Sequence, residues 1–65
     1  MKITRYEFEK EMDALLEAAK QAKNRNTALD YLQKAENKIY GYDNIPSELV
    51  NVYLMKIEIV RDSIR

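Results

Sequence analysis

Apolar residues are most frequent in the last third of the chain, between Pro46 and Ile64. Many of them recur at steps of three and four residues, the period of one helix face. This inner set comprises Leu49, Val50, Tyr53, Ile57, Val60 and Ile64. A second set, the outer stripe, repeats the spacing on nearly the opposite side and consists of Val52, Met55 and Ile59. The pattern predicts a helix with one core face and a second apolar stripe that needs its own explanation.

A first helix is predicted to begin at Thr4. Thr4 precedes Glu7 by three residues, which is the spacing of a capping box with reciprocal bonds to main-chain N–H groups. Ile3 and Phe8 occupy the positions of a hydrophobic staple around this box. The apolar face that follows consists of Phe8, Met12, Leu15, Leu16, Ala19 and Ala22.

A second helix is predicted from Thr27, after the sequence Asn24-Arg25-Asn26 interrupts the apolar pattern. Thr27 and Asp30 repeat a weaker capping-box spacing. Gly41, the single glycine, is predicted to close this helix in the left-handed conformation. The predicted core face is small and consists of Ala28, Leu32, Ala35 and Ile39.

Pro46 is predicted to open the third helix from its first turn, with Asn44 as the most suitable side-chain cap and Ser47 as its competitor. The fold class is therefore all-α, a compact three-helix bundle with helices at roughly 4–23, 27–40 and 46–64 and short loops. Residues 1–65 are expected to form a single domain, because 65 residues suffice for only one core.

Residues 18–39 resemble an antiparallel hairpin of tetratricopeptide-like or microtubule-interacting-and-transport-type modules. The resemblance rests on small residues where the helices would cross, namely Ala19, Ala22, Ala28 and Ala35, and on the step from Leu32 to Ala35. The glycine and the aromatic signature of the repeat are not in place, so no binding residue is carried over. The resemblance implies a peptide- or protein-binding helical module.

Composition limits the chemistry. The chain contains no Cys and no His, which removes disulfides, the commonest general base and the best nucleophile. We predict no enzyme activity and no catalytic, cofactor-binding or metal-binding residues. The 11 basic and 11 acidic residues are evenly distributed, which argues against nucleic acid as a partner. No segment resembles a signal peptide or a membrane span, and the absence of Cys fits the cytoplasm.

Two surface features have both a structural and a functional interpretation. Tyr40 and Tyr42 flank Gly41, where they either pack over the end of the bundle or anchor a protein partner. The basic residues Lys20, Lys23 and Arg25 either neutralise the C-terminus of the first helix or bind phosphate.

The outer stripe leaves two possibilities open. Either helix three lies centrally and the other helices cover both its faces, or the stripe forms an interface with a second copy or another protein. Such a small core supplies roughly 3–5 kcal/mol, which favours a homodimer or another protein partner. We expect a small bacterial or phage regulator, adaptor or inhibitor, since the abundance of Lys, Asn, Ile and Tyr is typical of AT-rich genomes. The alternatives are a helical DNA-binding regulator and a structural subunit of a larger assembly.

Overall fold

The computed structural model describes residues 2–64, which form three α-helices: α1 (Arg5–Gln21), α2 (Arg25–Gly41) and α3 (Ser47–Ser63). No strand occurs within these residues. The helices pack into a bundle of 33 × 16 × 16 Å, with the core between them. The predicted all-α three-helix bundle is confirmed.

Helix α1 begins where the sequence predicted. The Thr4 hydroxyl oxygen accepts a hydrogen bond from the Glu7 main-chain N–H at 3.2 Å and donates to Glu7 Oε1 at 2.8 Å. The Glu7 carboxylate thus accepts a hydrogen bond from the Thr4 hydroxyl and not, as predicted, from the Thr4 main-chain N–H. The helix ends at Gln21, two residues earlier than predicted, because Ala22 adopts an extended conformation with φ −63° and ψ 140°.

Helix α2 begins at Arg25, because Asn24 serves as its N-cap. The Asn24 Oδ1 atom accepts a hydrogen bond from the main-chain N–H of Thr27 at 2.8 Å. The prediction that Thr27 opens the helix was therefore wrong. Asn is a stronger capping residue than Thr, and the earlier cap adds Arg25 and Asn26 to the predicted helix.

Gly41 is the last residue of α2, and its φ angle is not positive. The predicted left-handed closure was wrong. The chain leaves the helix through Tyr42, whose extended conformation with φ −105° and ψ 140° makes a left-handed residue unnecessary. This exit turns the Tyr42 ring back towards the core.

The Asn44 side chain holds the N-terminal segment and does not cap α3. Its Oδ1 accepts from the main-chain N–H of Ile3 at 3.1 Å, and its Nδ2 donates to the Ile3 carbonyl at 2.8 Å. Pro46 occupies the N-cap position of α3 without a side-chain bond, so the helix begins at Ser47. Both the predicted cap and the placement of Pro46 inside the first turn were wrong, because two bonds to Ile3 satisfy the Asn44 amide.

The core is formed by one face of each helix. Its deeply buried members are Phe8, Met12, Leu16, Ala19, Ala28, Leu32, Ala35, Ile39, Leu49, Tyr53, Ile57 and Val60. Phe8 lies at the centre of an aromatic group, with edge-on ring contacts to Tyr53 at 5.6 Å and to Tyr42 at 6.1 Å. Helices α1 and α2 make the most extensive contact, since alanines on both allow close approach. Val50 and Ile64 of the inner set are only half-buried.

Candidate protein-binding surface on the third helix

The outer stripe faces away from the rest of the bundle. The exposed fraction is 47% for Val52, 64% for Met55 and 62% for Ile59. Neither α1 nor α2 covers these side chains, so the possibility that both faces of α3 are buried within one chain does not hold.

Helical geometry explains why the three residues lie side by side. Val52 and Ile59 are separated by nearly two full turns, which returns them to within about 20° of one another and about 10 Å apart along the axis. Met55 lies between them along the axis, three residues after Val52 and four before Ile59, and is rotated from both to one side. The outer stripe is therefore one short apolar band, and its length equals two helical turns.

On the α1 side, the stripe is bordered by a groove between α1 and α3. Its lining comprises Asp13, Leu16, Glu17, Lys20, Lys56, Ile59 and Val60. The Lys56 ammonium stands over the ring of Tyr53, 4.9 Å from the ring centroid. Beneath it, the Tyr53 hydroxyl donates to Asp13 Oδ1 at 3.0 Å and joins α3 to α1. The groove on the α1 side therefore contains both acidic and basic side chains.

Burial, with a further contribution from the hydrogen bond to Asp13, raises the pKa of Tyr53 to about 12. Its phenol is otherwise expected to titrate near 10. Ionising this hydroxyl would bring a negative charge against the Asp13 carboxylate and end the bond between the helices. Tyr53 is thus a structural residue, as the inner set predicted.

On the α2 side, a second groove borders the stripe. Its lining comprises Glu36, Tyr40, Asn51, Leu54, Met55, Ile57, Glu58 and Arg61. An ion pair between Arg61 and Glu36 joins α3 to α2 along this groove. Tyr40 is 72% exposed. The structure therefore brings this predicted anchor to the same groove as Met55, so that Tyr40 can extend the apolar surface.

Tyr42, the other predicted anchor, lies half-buried and away from this groove. Its ring packs edge-on against Phe8, and its hydroxyl donates to Glu11 Oε2 at 3.1 Å. Partial burial and this bond raise the pKa of the Tyr42 hydroxyl. Lys38 donates to the other Glu11 oxygen at 3.2 Å, which links α2 to α1. The structure thus separates Tyr40 from Tyr42, because the extended backbone at Tyr42 directs the two rings differently.

Three acidic residues on α3 accompany the outer stripe, and the sequence prediction assigned them no role. Glu48, Glu58 and Asp62 are exposed and form no ion pair with another of residues 2–64. The signal that could have revealed them is their register, since Glu48 and Asp62 continue the spacing of the stripe by one step at each end.

The basic residues of the first turn lie elsewhere. Lys20, Lys23 and Arg25 line a shallow cavity at the α1–α2 turn, together with Ser63 and Ile64 near the end of α3. Within the described residues, no group of three or more acidic, His or Cys side chains could hold a metal ion. Nor does any helix within residues 2–64 combine the length and apolar character needed to cross a membrane.

Comparisons of the chain with protein-family models, with curated proteins and with solved structures find no match.

Proposed function

We propose that this protein is a small non-enzymatic protein–protein interaction module that binds its partner through the outer stripe of α3. A regulator, adaptor or inhibitor of bacterial or phage origin, acting in the cytoplasm, is the concrete form of the proposal. Composition supports the origin and the compartment, since the chain lacks Cys and has the residue usage of AT-rich genomes.

The observation that carries the proposal is the exposure of Val52, Met55 and Ile59 on a helix whose opposite face fills the core. Single exposed apolar residues are ordinary, but a contiguous group on one helix face usually marks a contact surface. The neighbouring Tyr40 adds a large amphipathic side chain of the kind enriched at binding hot spots. Two occupants fit this proposal: a second copy, which gives a homodimer, and a helix of another protein.

The test compares proteins retained from a lysate of the encoding organism by three forms of the chain. These are the wild type, Val52→Glu combined with Ile59→Lys, and the control Tyr6→Glu. Tyr6 is 72% exposed and lies outside both grooves that border the stripe. Circular dichroism first establishes that all three forms fold.

We expect the wild type and Tyr6→Glu to retain the same proteins in the same amounts, and the double variant to lose them. Sedimentation of the three purified forms tests for self-association. If the chain forms a homodimer, the wild type and Tyr6→Glu should sediment as dimers and the double variant as a monomer. An identical set of retained proteins and an identical sedimentation coefficient for the wild type and the double variant would overturn the proposal.

A further inference from the structure

The outer stripe is the centre of a longer seam on α3. The residue four positions before Val52 is Glu48, and the residue three positions after Ile59 is Asp62. The full set therefore follows the alternating four–three spacing by which one helix packs along another. In order, this seam consists of Glu48, Val52, Met55, Ile59 and Asp62. It is apolar in its middle and acidic at both ends.

The carboxylates at the two ends of the seam do not help to join the three helices. Glu48 and Asp62 are exposed, and neither pairs with another of residues 2–64. Four helical turns separate them, which is about 21 Å along the axis. Any helix that lies along the outer stripe for its full length therefore meets one carboxylate at each end.

A second copy of α3 fits this seam poorly. In a parallel pair, each seam position faces its own equivalent, so that Glu48 would meet Glu48 and Asp62 would meet Asp62. In an antiparallel pair centred on Met55, the apolar positions face one another, but Glu48 of each copy meets Asp62 of the other. A shifted antiparallel register instead places a terminal acid opposite an apolar residue. Like charges at an interface and unpaired charges against apolar groups are both unfavourable. Charge thus favours a different helix over a homodimer.

The two edges of the seam also differ in charge. Glu58 borders Met55 on the α2 side, whereas Lys56 borders Ile59 on the α1 side. An incoming helix with basic residues along the α2 edge would be better matched than one with acidic residues there. This edge adds to the negative charge of the seam ends.

We propose that the occupant of the outer stripe is an amphipathic helix of another protein, with three apolar seam residues and a Lys or Arg one step beyond each end. The proposal rests on the proposed function and specifies the partner's chemistry. The apolar residues would contact Val52, Met55 and Ile59, and the two basic residues would pair with Glu48 and Asp62.

Two synthetic helical peptides test this chemistry. Both carry Leu at three central seam positions, and they differ only at the two terminal seam positions, which are Lys in one peptide and Glu in the other. Fluorescence anisotropy measures the affinity of each peptide for the wild type, for Glu48→Lys combined with Asp62→Lys, and for the control Asp30→Lys. Asp30 is an exposed acid on α2 outside the seam, paired only with the exposed Lys34 among residues 2–64.

We expect the wild type and Asp30→Lys to bind the Lys peptide about tenfold more tightly than the Glu peptide, which corresponds to about 1.4 kcal/mol. The ratio should fall as salt is added and should reverse in the double Lys variant. Such a reversal would not follow from a general loss of folding.

Three results would overturn the inference in distinguishable ways. Equal binding of both peptides, abolished by Val52→Glu combined with Ile59→Lys, removes the charge selection but leaves the proposed function intact. If neither peptide binds, and the chain forms concentration-dependent dimers that Val52→Glu combined with Ile59→Lys disrupts, the occupant of the stripe is a second copy and not a helix of another protein. Failure of both peptides without any self-association overturns the assignment of this surface altogether.

Discussion

The two faces of α3 contain the same kinds of residue in different surroundings. Ile57 and Ile59 lie two positions apart on one helix, yet Ile57 is 1% exposed and Ile59 is 62% exposed. Local helix propensity is the same for both, so the difference arises only from what α1 and α2 cover. The bundle needs one face of α3 for its core and leaves the other without a covering element in the chain.

This difference separates residues that maintain the fold from residues available for binding. The inner residues form the contacts that hold the helices together. Phe8 of α1, for example, packs on Tyr53 of α3. The outer residues make a band bordered by two grooves and acidic at both ends. Their substitution should therefore affect association and leave folding nearly unchanged.

The largest expected effect is on the stability of Ile57→Ala. Removing this buried side chain leaves a cavity and should lower the free energy of unfolding by roughly 2–5 kcal/mol. A core of this size supplies only about 3–5 kcal/mol in total, so much of the variant should be unfolded at 25 °C. Urea denaturation followed by circular dichroism measures the change.

The matched substitution Ile59→Ala should change the free energy of unfolding by no more than about 0.5 kcal/mol, because the side chain is exposed. Equal losses in the two variants would show that Ile59 is as important to the fold as Ile57, and the distinction between the faces would fail.

Tyr53 gives a pH-dependent test of the inner face. Its folded pKa of about 12 lies above the usual value of 10, so the folded state retains the proton where the unfolded state loses it. The associated stability is fully present below pH 10 and is lost as the pH rises towards 12. The free energy of unfolding should fall by roughly 2 kcal/mol across this range.

Tyr53→Phe is the matched control, because it keeps the ring and removes the ionisable group. It should be about 1 kcal/mol less stable at pH 7, since the bond to Asp13 is lost, and should show a smaller decrease above pH 10. Parallel pH profiles for the two proteins would contradict the buried, hydrogen-bonded hydroxyl.

The smallest effect is expected at Gly41, an exposed position at the end of α2. A Cβ atom added there would meet nothing within 4 Å, and the φ angle is not positive. Gly41→Ala should therefore raise the free energy of unfolding by about 0.5 kcal/mol, by reducing the freedom of the unfolded chain. Thermal denaturation measures the change, and a lower melting temperature would instead support the left-handed closure predicted from the sequence.

Periodicity predicted the fold and the two faces of α3, because spacing alone places Leu49, Tyr53 and Ile57 on one side and Met55 on the other. It could not decide whether other helices would cover the outer stripe, since coverage depends on how α1 and α2 pack. The acids at the ends of the seam follow the same periodicity. They can be assigned to a binding surface only once the stripe between them is known to be exposed.

The errors lie at helix ends and in loops, where several local choices have similar energies. Asn24 and Thr27 are both acceptable caps, and the cap strength of Asn decided between them. Asn44 was predicted to bond within its own segment but instead binds Ile3, 41 positions earlier. Likewise, the Tyr42 hydroxyl finds Glu11 on another helix. Local spacing contains no information about such distant partners.

The outer face of α3 is thus proposed to bind a basic amphipathic helix of another protein. The most direct measurement is a ¹H–¹⁵N correlation spectrum of the protein titrated with the peptide carrying terminal Lys residues. We predict that the signals that shift belong to Val52, Met55, Ile59 and the seam acids, whereas those around Tyr6 on α1 stay in place. Shifts confined to other surfaces, or no shifts at millimolar peptide, would contradict the claim.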